Sequence, residues 1–268
     1  MGNPSKLRSN PLTALIITYN EIGYIERCIE SVSFADEIVV VDSNSTDGTY
    51  EFLESHPNVR VILHPFENFT AQKSFALQQA SHEWVLFVDA DEVVTPELRD
   101  EIIQTIDRPD AKEAYWFYRQ FMFGDQRLRF SGWQTDKNHR LFRKSKVQYT
   151  DRKLVHETLE VDGASGILKE KLIHYCYKDY ESYQGKMLLY GRLKARESFY
   201  RERKFNYLML WFKPFWRFFV NYVIRLGFLD GRKGWVVCYL NALSVRERYL
   251  ELKRLEKKNE LTYYLVMP

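Results

Sequence analysis

From Leu12 to Ile106 the apolar residues fall into two alternating kinds of run. Leu12–Thr18 (LTALIIT), Glu37–Val41 (EIVVV), Val59–Leu63 (VRVIL) and Trp84–Val88 (WVLFV) are short and continuous. Such runs predict strands buried on both faces. Between them, Ile22, Ile25, Cys28, Ile29 and Val32 recur at helical spacing,. A second helix is predicted up to about Ser55, N-capped by Thr46 or Asp47. Ala71–Ala80 and Pro96–Ile106 complete the helical set. Strands alternating with helices over short connections predict a mostly parallel sheet flanked by helices. In such a sheet ligands sit beyond the carboxyl ends of the strands. Tyr19-Asn20-Glu21, Asp42 and Asp89-Ala90-Asp91 all fall at those ends, so they are expected along one edge.

After Ile106 the pattern changes. Ala114–Tyr118, two strands around a turn in Phe121–Phe130, Arg140–Arg143, Val147–Tyr149 and Gly166–His174 read as extended pieces of an α+β stretch. From Tyr180 onward the chain reads as helical. Leu208–Leu229 is long and very apolar, but Lys213, Pro214, Arg217, Asn221 and Arg225 interrupt it. A membrane-spanning helix needs about 20 mostly uncharged residues, so an interfacial or kinked re-entrant arrangement is expected instead. Asp230-Gly231 reads as a turn. Trp235–Leu250 reads as a further helix, followed by a charged segment, Glu251–Glu260. The predicted organisation is a domain over residues 1–179 and a helical, basic, aromatic-rich extension over residues 180–268.

Charge sharpens that division. Lys186–Lys258 holds 18 Lys and Arg against 6 Asp and Glu, a balance of +12 within a chain whose net charge is +3. A basic, aromatic segment beside an acidic one points to an anionic surface as partner. The Phe and Trp cluster, with Val220, Val223 and Ile224, suits acyl chains better than nucleic acid. The three cysteines, Cys28, Cys176 and Cys238, form neither a disulfide framework nor a zinc-site spacing,. That usage suits a reducing compartment, and the N-terminal segment shows no apolar signal.

The chemistry concentrates at Asp89-Ala90-Asp91. In extended chain, residues i and i+2 share a side, so two carboxylates stand together with a small residue between them. A divalent cation relieves their repulsion. Hard oxygen ligands suit Mn²⁺ or Mg²⁺, and Mg²⁺ typically takes only one or two protein carboxylates plus substrate phosphates. The alternative is a solvated acidic loop preceding the helix that starts near Thr95-Pro96.

Three segments taken together, Ile17-Thr18-Tyr19-Asn20-Glu21, Val39–Thr49 (VVVDSNSTDGT) and Phe87–Asp91 (FVDAD), resemble the family 2 inverting glycosyltransferases. Arg140–Arg143 (RLFR), Val155-His156-Glu157, His174 and Gly227–Gly231 (GFLDG) resemble the lipopolysaccharide-core glucosyltransferase-like branch of bacteria. The resemblance implies a GT-A-like, Rossmann-type fold, a nucleotide-diphosphate sugar donor and a divalent metal. It also implies a glycan or lipid-linked acceptor.

Roles carried over by the resemblance are as follows. Asp91 is the expected metal ligand, with Asp89 beside it on metal or donor. Thr18, Tyr19 and Glu21 match the first nucleotide-contacting loop; Glu21 has the alternative of a helix N-terminal carboxylate. Asp42 matches the base-binding position, or is a turn residue. Lys73 binds the diphosphate, or is a solvated helix lysine. Arg140 and Arg143 suit phosphate oxygens, or are strand-surface arginines. An inverting transfer also needs a general base. The Glu-Asp pair that supplies it in many relatives is missing here. Glu157, oriented by His156, is the first candidate, and Asp136 the second. A nucleotidyltransferase and a non-enzymatic membrane-surface or nucleic-acid binder are the rival readings. The former lacks its Gly-rich basic loop after the first strand, and the latter leaves Asp89 and Asp91 idle. The expected location is the cytoplasmic face of a bacterial inner membrane.

Overall fold

The computed structural model describes residues 9–132, 136–150, 158–177 and 179–266. His156 and Glu157 lie outside the described residues. The first four strands form where the continuous apolar runs predict them: β1 (Leu12–Thr18), β2 (Glu37–Asp42), β3 (Arg60–Leu63) and β4 (Trp84–Asp89). They pair in the order β3-β2-β1-β4, all parallel. Helices α1 (Ile25–Ser31), α2 (Thr49–Ser55), α3 (Phe69–Gln79) and α4 (Pro96–Ile106) make the crossovers and connections. Alternate residues of each strand bury on opposite faces. Ala14, Ile16, Val40, Leu86 and Val88 pack with Ile25, Ile29, Leu98 and Ile102. Leu15, Val39, Val41, Val85 and Phe87 pack with Ala76 and Leu77. In β1, β2 and β4 both faces are covered, which is why their apolar runs are continuous; β3, expected to be buried on both faces, is instead the outer strand of the sheet, with Arg60 and Leu63 exposed. Two helices begin on side-chain caps: Asn68 Oδ1 accepts from the Ala71 N–H, and Thr95 Oγ1 from the Leu98 N–H,.

Parallel pairing stops at β4. The remaining strands are β5 (Glu92–Val93), β6 (Ala114–Phe123), β7 (Gln126–Leu128), β8 (Lys137–Arg143), β9 (Val147–Thr150), β10 (Thr158–Val161) and β11 (Ser165–Tyr177). The main sheet runs β3-β2-β1-β4-β8-β6-β11-β5, with β7 on β6; β9 and β10 form a separate ribbon. The pairs β4–β8, β6–β8, β6–β7 and β5–β11 are antiparallel. The sheet is therefore mixed, and "mostly parallel" holds for its first four strands alone. Among the described residues no helix separates β6, β7 and β8, and antiparallel neighbours need no crossover. Two residues, Ala90 and Asp91, link β4 to β5, yet β5 pairs with β11 and so stands four places from β4 in the order. A sheet can satisfy both only by curling back on itself.

The chain divides into two compact units. One comprises Met1–Gln120 and Asp136–Tyr175; the other comprises Phe121–Thr135 and Cys176–Pro268. The second contains α5 (Tyr180–Tyr200), α6 (Tyr207–Phe219) and α7 (Gly231–Val266). Its core joins Phe121, Phe123 and Leu128 to Tyr183, Met187, Val237 and Leu240. The segment expected as a charged stretch after Leu250 is helical, part of α7. Buried Asp230 accepts the N–H groups of Arg129 at 2.8 Å and Phe130 at 2.9 Å and the Ser131 hydroxyl at 2.9 Å. A Cβ added at Gly234 would lie 2.1 Å from the Gly227 carbonyl oxygen, so that approach requires glycine,.

Candidate functional site

The register of the parallel strands fixes one edge. Thr18 pairs with Asp42, and Ile17 with Asp89, so the ends of β1, β2 and β4 stand side by side. The loops that follow β1 and β2 are stitched together. Asn20 sits at φ 55°. Its N–H donates to Ser45 Oγ at 2.8 Å, and its Oδ1 accepts the Thr46 N–H at 2.8 Å. The Glu21 N–H donates to Thr49 Oγ1 at 3.0 Å. Tyr19 is exposed and Thr18 is buried. Asp42 is buried and accepts the Ser45 N–H at 2.8 Å and the Ser45 hydroxyl at 2.6 Å. Both oxygens thus hold the turn after β2.

A second group gathers where β4 ends. Arg140, on β8, is buried and gives its Nη2 to Asp89 Oδ2 and, at 2.6 Å, to Glu92 Oε1. Glu92 is fully buried, and its Oε2 accepts the Asp89 N–H at 3.0 Å. Arg119, on β6, lies 3.5 Å from Glu92 Oε1 through Nη1. Its Nε and Nη2 hold Asp136 Oδ2 at 2.7 and 2.6 Å. Asp89, Arg140, Glu92, Arg119 and Asp136 therefore form a chain of alternating charge. Burial alone would raise Asp89, but the Arg140 guanidinium, with Lys73 behind it, holds the carboxyl well below the ordinary carboxylate range. Burial would likewise lower Arg140, and the charges of Asp89 and Glu92 push it up instead. Both groups are thus fixed in their charged forms.

Lys73, on α3, is buried, with its ammonium 5.1 Å from the Phe87 ring centroid and 5.9 Å from that of Tyr149. It is not a solvated helix lysine. The sequence shows the helix but not which of its faces packs.

The curl of the sheet builds a third pair. Antiparallel pairing sets His174 of β11 opposite Glu92, and the Tyr175 N–H donates to the Asp91 carbonyl at 2.9 Å. His174 Nε2 then stands 3.1 Å from Asp91 Oδ2. Among the described residues, no group of three or more His, Cys, Asp or Glu side chains is arranged to hold a metal ion alone. One carboxylate and one imidazole beside each other do fit an Mn²⁺ or Mg²⁺ that takes its other ligands from phosphate and water. Asp89 is committed to Arg140, so Asp91 is the better placed of the two aspartates for that task.

Arg143 is not brought to this edge. It pairs with Trp84 at the start of β4, and its Cζ lies 4.5 Å from the Trp84 ring centroid. Five residues of strand separate it from the Asp89 end, roughly 17 Å. Asp136 reaches the charged chain through Arg119. Three residues of the site, Glu92, Arg119 and His174, are absent from the set that the sequence assigns to catalysis or binding. Glu92 reads as loop acid after the DAD motif, and Arg119 as one charge among aromatic residues. His174 stands out in the sequence only as part of the resemblance.

The family model described as Glycosyl transferase family 2 matches residues 13–175, which include every residue of this site. An uncharacterized glycosyltransferase of Rickettsia bellii is 32% identical over 265 residues, covering 94% of this chain and 88% of its own. The lipopolysaccharide core biosynthesis glycosyltransferase LpsC of Rhizobium meliloti is 30% identical over 251 residues, covering 89% and 93%. Among solved structures, S. aureus TarS 1–349 aligns over 92% of both chains with a TM-score of 0.48 and 16% identity, too remote to carry an argument about activity.

Proposed function

Given that this chain belongs to the family 2 glycosyltransferases, we propose that it moves a sugar, with inversion, from a nucleotide-diphosphate sugar to an acceptor of the bacterial cell envelope. The proposed fold type is GT-A, with the donor at the carboxyl edge of β1, β2 and β4. One observation carries the reading: the Asp91–His174 pair beside an Asp89 kept ionised by Arg140.

Each residue then has a task. Asp91 and His174 hold the divalent metal, which would offset charge on the departing nucleoside diphosphate. Asp89, partly open to solvent, accepts hydrogen bonds from hydroxyls of the donor. Lys73 and Arg140 add positive charge behind the same edge. Thr18, Tyr19 and Glu21 line the nucleoside side, while Asp42 shapes the turn there. The base is Glu157, with His156 orienting it. Asp136 is the second candidate, with one carboxylate oxygen already held by Arg119.

The acceptor is lipid-linked or a lipopolysaccharide core. The description of the Rhizobium relative and the basic, aromatic residues 180–268 support that choice. The basic, aromatic residues support work at a membrane surface, and the cytoplasmic face of the inner membrane is the side on which a cytosolic nucleotide sugar is available. A panel of UDP-, GDP- and dTDP-sugars, scored for binding and for Mn²⁺-dependent release of nucleotide, tests the proposal. One donor should be turned over with metal and spared with chelator. Absence of turnover across the panel, with and without metal and lipid acceptor extract, overturns it.

A further inference from the structure

In the second unit, α6 turns its apolar side to water. Leu208, Trp211, Phe212, Phe215 and Trp216 recur at i, i+3, i+4, i+7 and i+8, the spacing of a core-facing stripe. Yet they are 47–69% exposed, and Leu210 is the one buried residue of the helix. Four half-exposed aromatic side chains present on the order of 400 Å² before their neighbours are added. A patch of that size marks an interaction surface.

Charge selects the partner. From Arg203 to Leu229 the chain carries five cations, Arg203, Lys204, Lys213, Arg217 and Arg225, and no carboxylate. Lys213 and Arg217 are exposed on the same helix. On α7, Arg246 places its Cζ 5.8 Å from the Trp211 ring centroid. An apolar stripe on a segment that carries five cations and no carboxylate of its own matches acyl chains beneath anionic headgroups,. Long cationic stems can reach those headgroups from an immersed helix. The 13 residues of α6 extend about 20 Å, against about 30 Å of hydrocarbon,. Among the described residues, no helix is long and apolar enough to cross a membrane.

We propose that α6 lies in the plane of a bilayer of anionic glycerophospholipid, with the Leu208–Trp216 stripe immersed and Lys213 and Arg217 at the headgroups. This rests on the envelope acceptor proposed above and names the surface that meets the lipid.

The test is flotation of the full chain with phosphatidylcholine vesicles, with and without phosphatidylglycerol, following Trp fluorescence. The chain should float with anionic vesicles at low salt, with a blue shift. Lys213→Gln with Arg217→Gln should weaken binding about thirtyfold while the aromatic stripe stays intact. Trp211→Ser with Phe215→Ser should abolish the blue shift. The charge variant keeps the test decisive if the aromatic variant fails to fold. Equal binding to neutral and anionic vesicles, or no binding by the unaltered chain, overturns the proposal. So does a dimer in solution that the aromatic variant abolishes, which would assign the stripe to a second copy. Turnover across the donor panel, with metal and lipid acceptor extract, is measured in parallel. An inactive chain that floats refutes the glycosyl-transfer reading alone, and an active chain that ignores vesicles refutes the docking alone.

Discussion

His174 Nε2 lies 3.1 Å from Asp91 Oδ2 across 83 residues of chain. The pair forms because β5 follows β4 after two residues and pairs with β11. Asp91→Asn keeps the volume and removes the charge, and His174→Ala removes the nitrogen. If both serve one metal, each should lower turnover by on the order of 10²-fold or more. The double variant should be little worse than either single one. Titration calorimetry with Mn²⁺ and nucleoside diphosphate, together with steady-state rates, reads this out. Fully additive losses would separate the two roles.

Arg140 carries two carboxylates at once, the half-buried Asp89 and the fully buried Glu92. Arg140→Met fills similar space and leaves both acids without that partner. Breaking a buried pair from one side costs about 3–5 kcal/mol. Urea denaturation should show a loss in that range, and Arg140→Lys should recover part of it. A loss below about 1 kcal/mol would mean that water reaches these acids.

The base assignment separates by kinetics. Glu157→Gln should lose turnover by about 10²-fold or more, within the range of general-base catalysis, and keep donor and metal affinity. Asp136→Asn should mainly release Arg119. If Asp136→Asn gives the turnover defect and Glu157→Gln does not, Asp136 is the base.

At the opposite edge of the sheet, Glu37 is a pH-dependent fastening. Burial alone would raise its pKa. The Ser81 N–H and hydroxyl, Thr13 and Arg60 outweigh it and bring the value from 4.5 down to about 2. The folded value is the lower one, so the stabilisation is complete above the unfolded value. It is lost as pH falls from about 4.5 to about 2,. Allowing for its partial exposure, Glu37→Gln should destabilise by about 2 kcal/mol at neutral pH. Thermal melts of variant and parent should converge near the folded pKa. A constant gap across that range would place the effect elsewhere.

The sequence alone determined the four parallel strands and the edge on which Thr18, Asp42 and Asp89 meet. Strands buried on both faces leave continuous apolar runs, and those runs end where the polar site residues begin. This information is local, so a single chain reveals it. Only the tertiary structure decided which charges share the site. Arg140 and Arg143 look alike in RLFR, but the antiparallel register sends one to Asp89 and the other to Trp84. β5 has two residues, too few for any period to show, yet its pairing with β11 delivers His174 to Asp91. Glu92 and Lys73 are charged residues that a pattern assigns to solvent. Burial against Arg140, and against Phe87 and Tyr149, emerges only when distant strands and helices close around them.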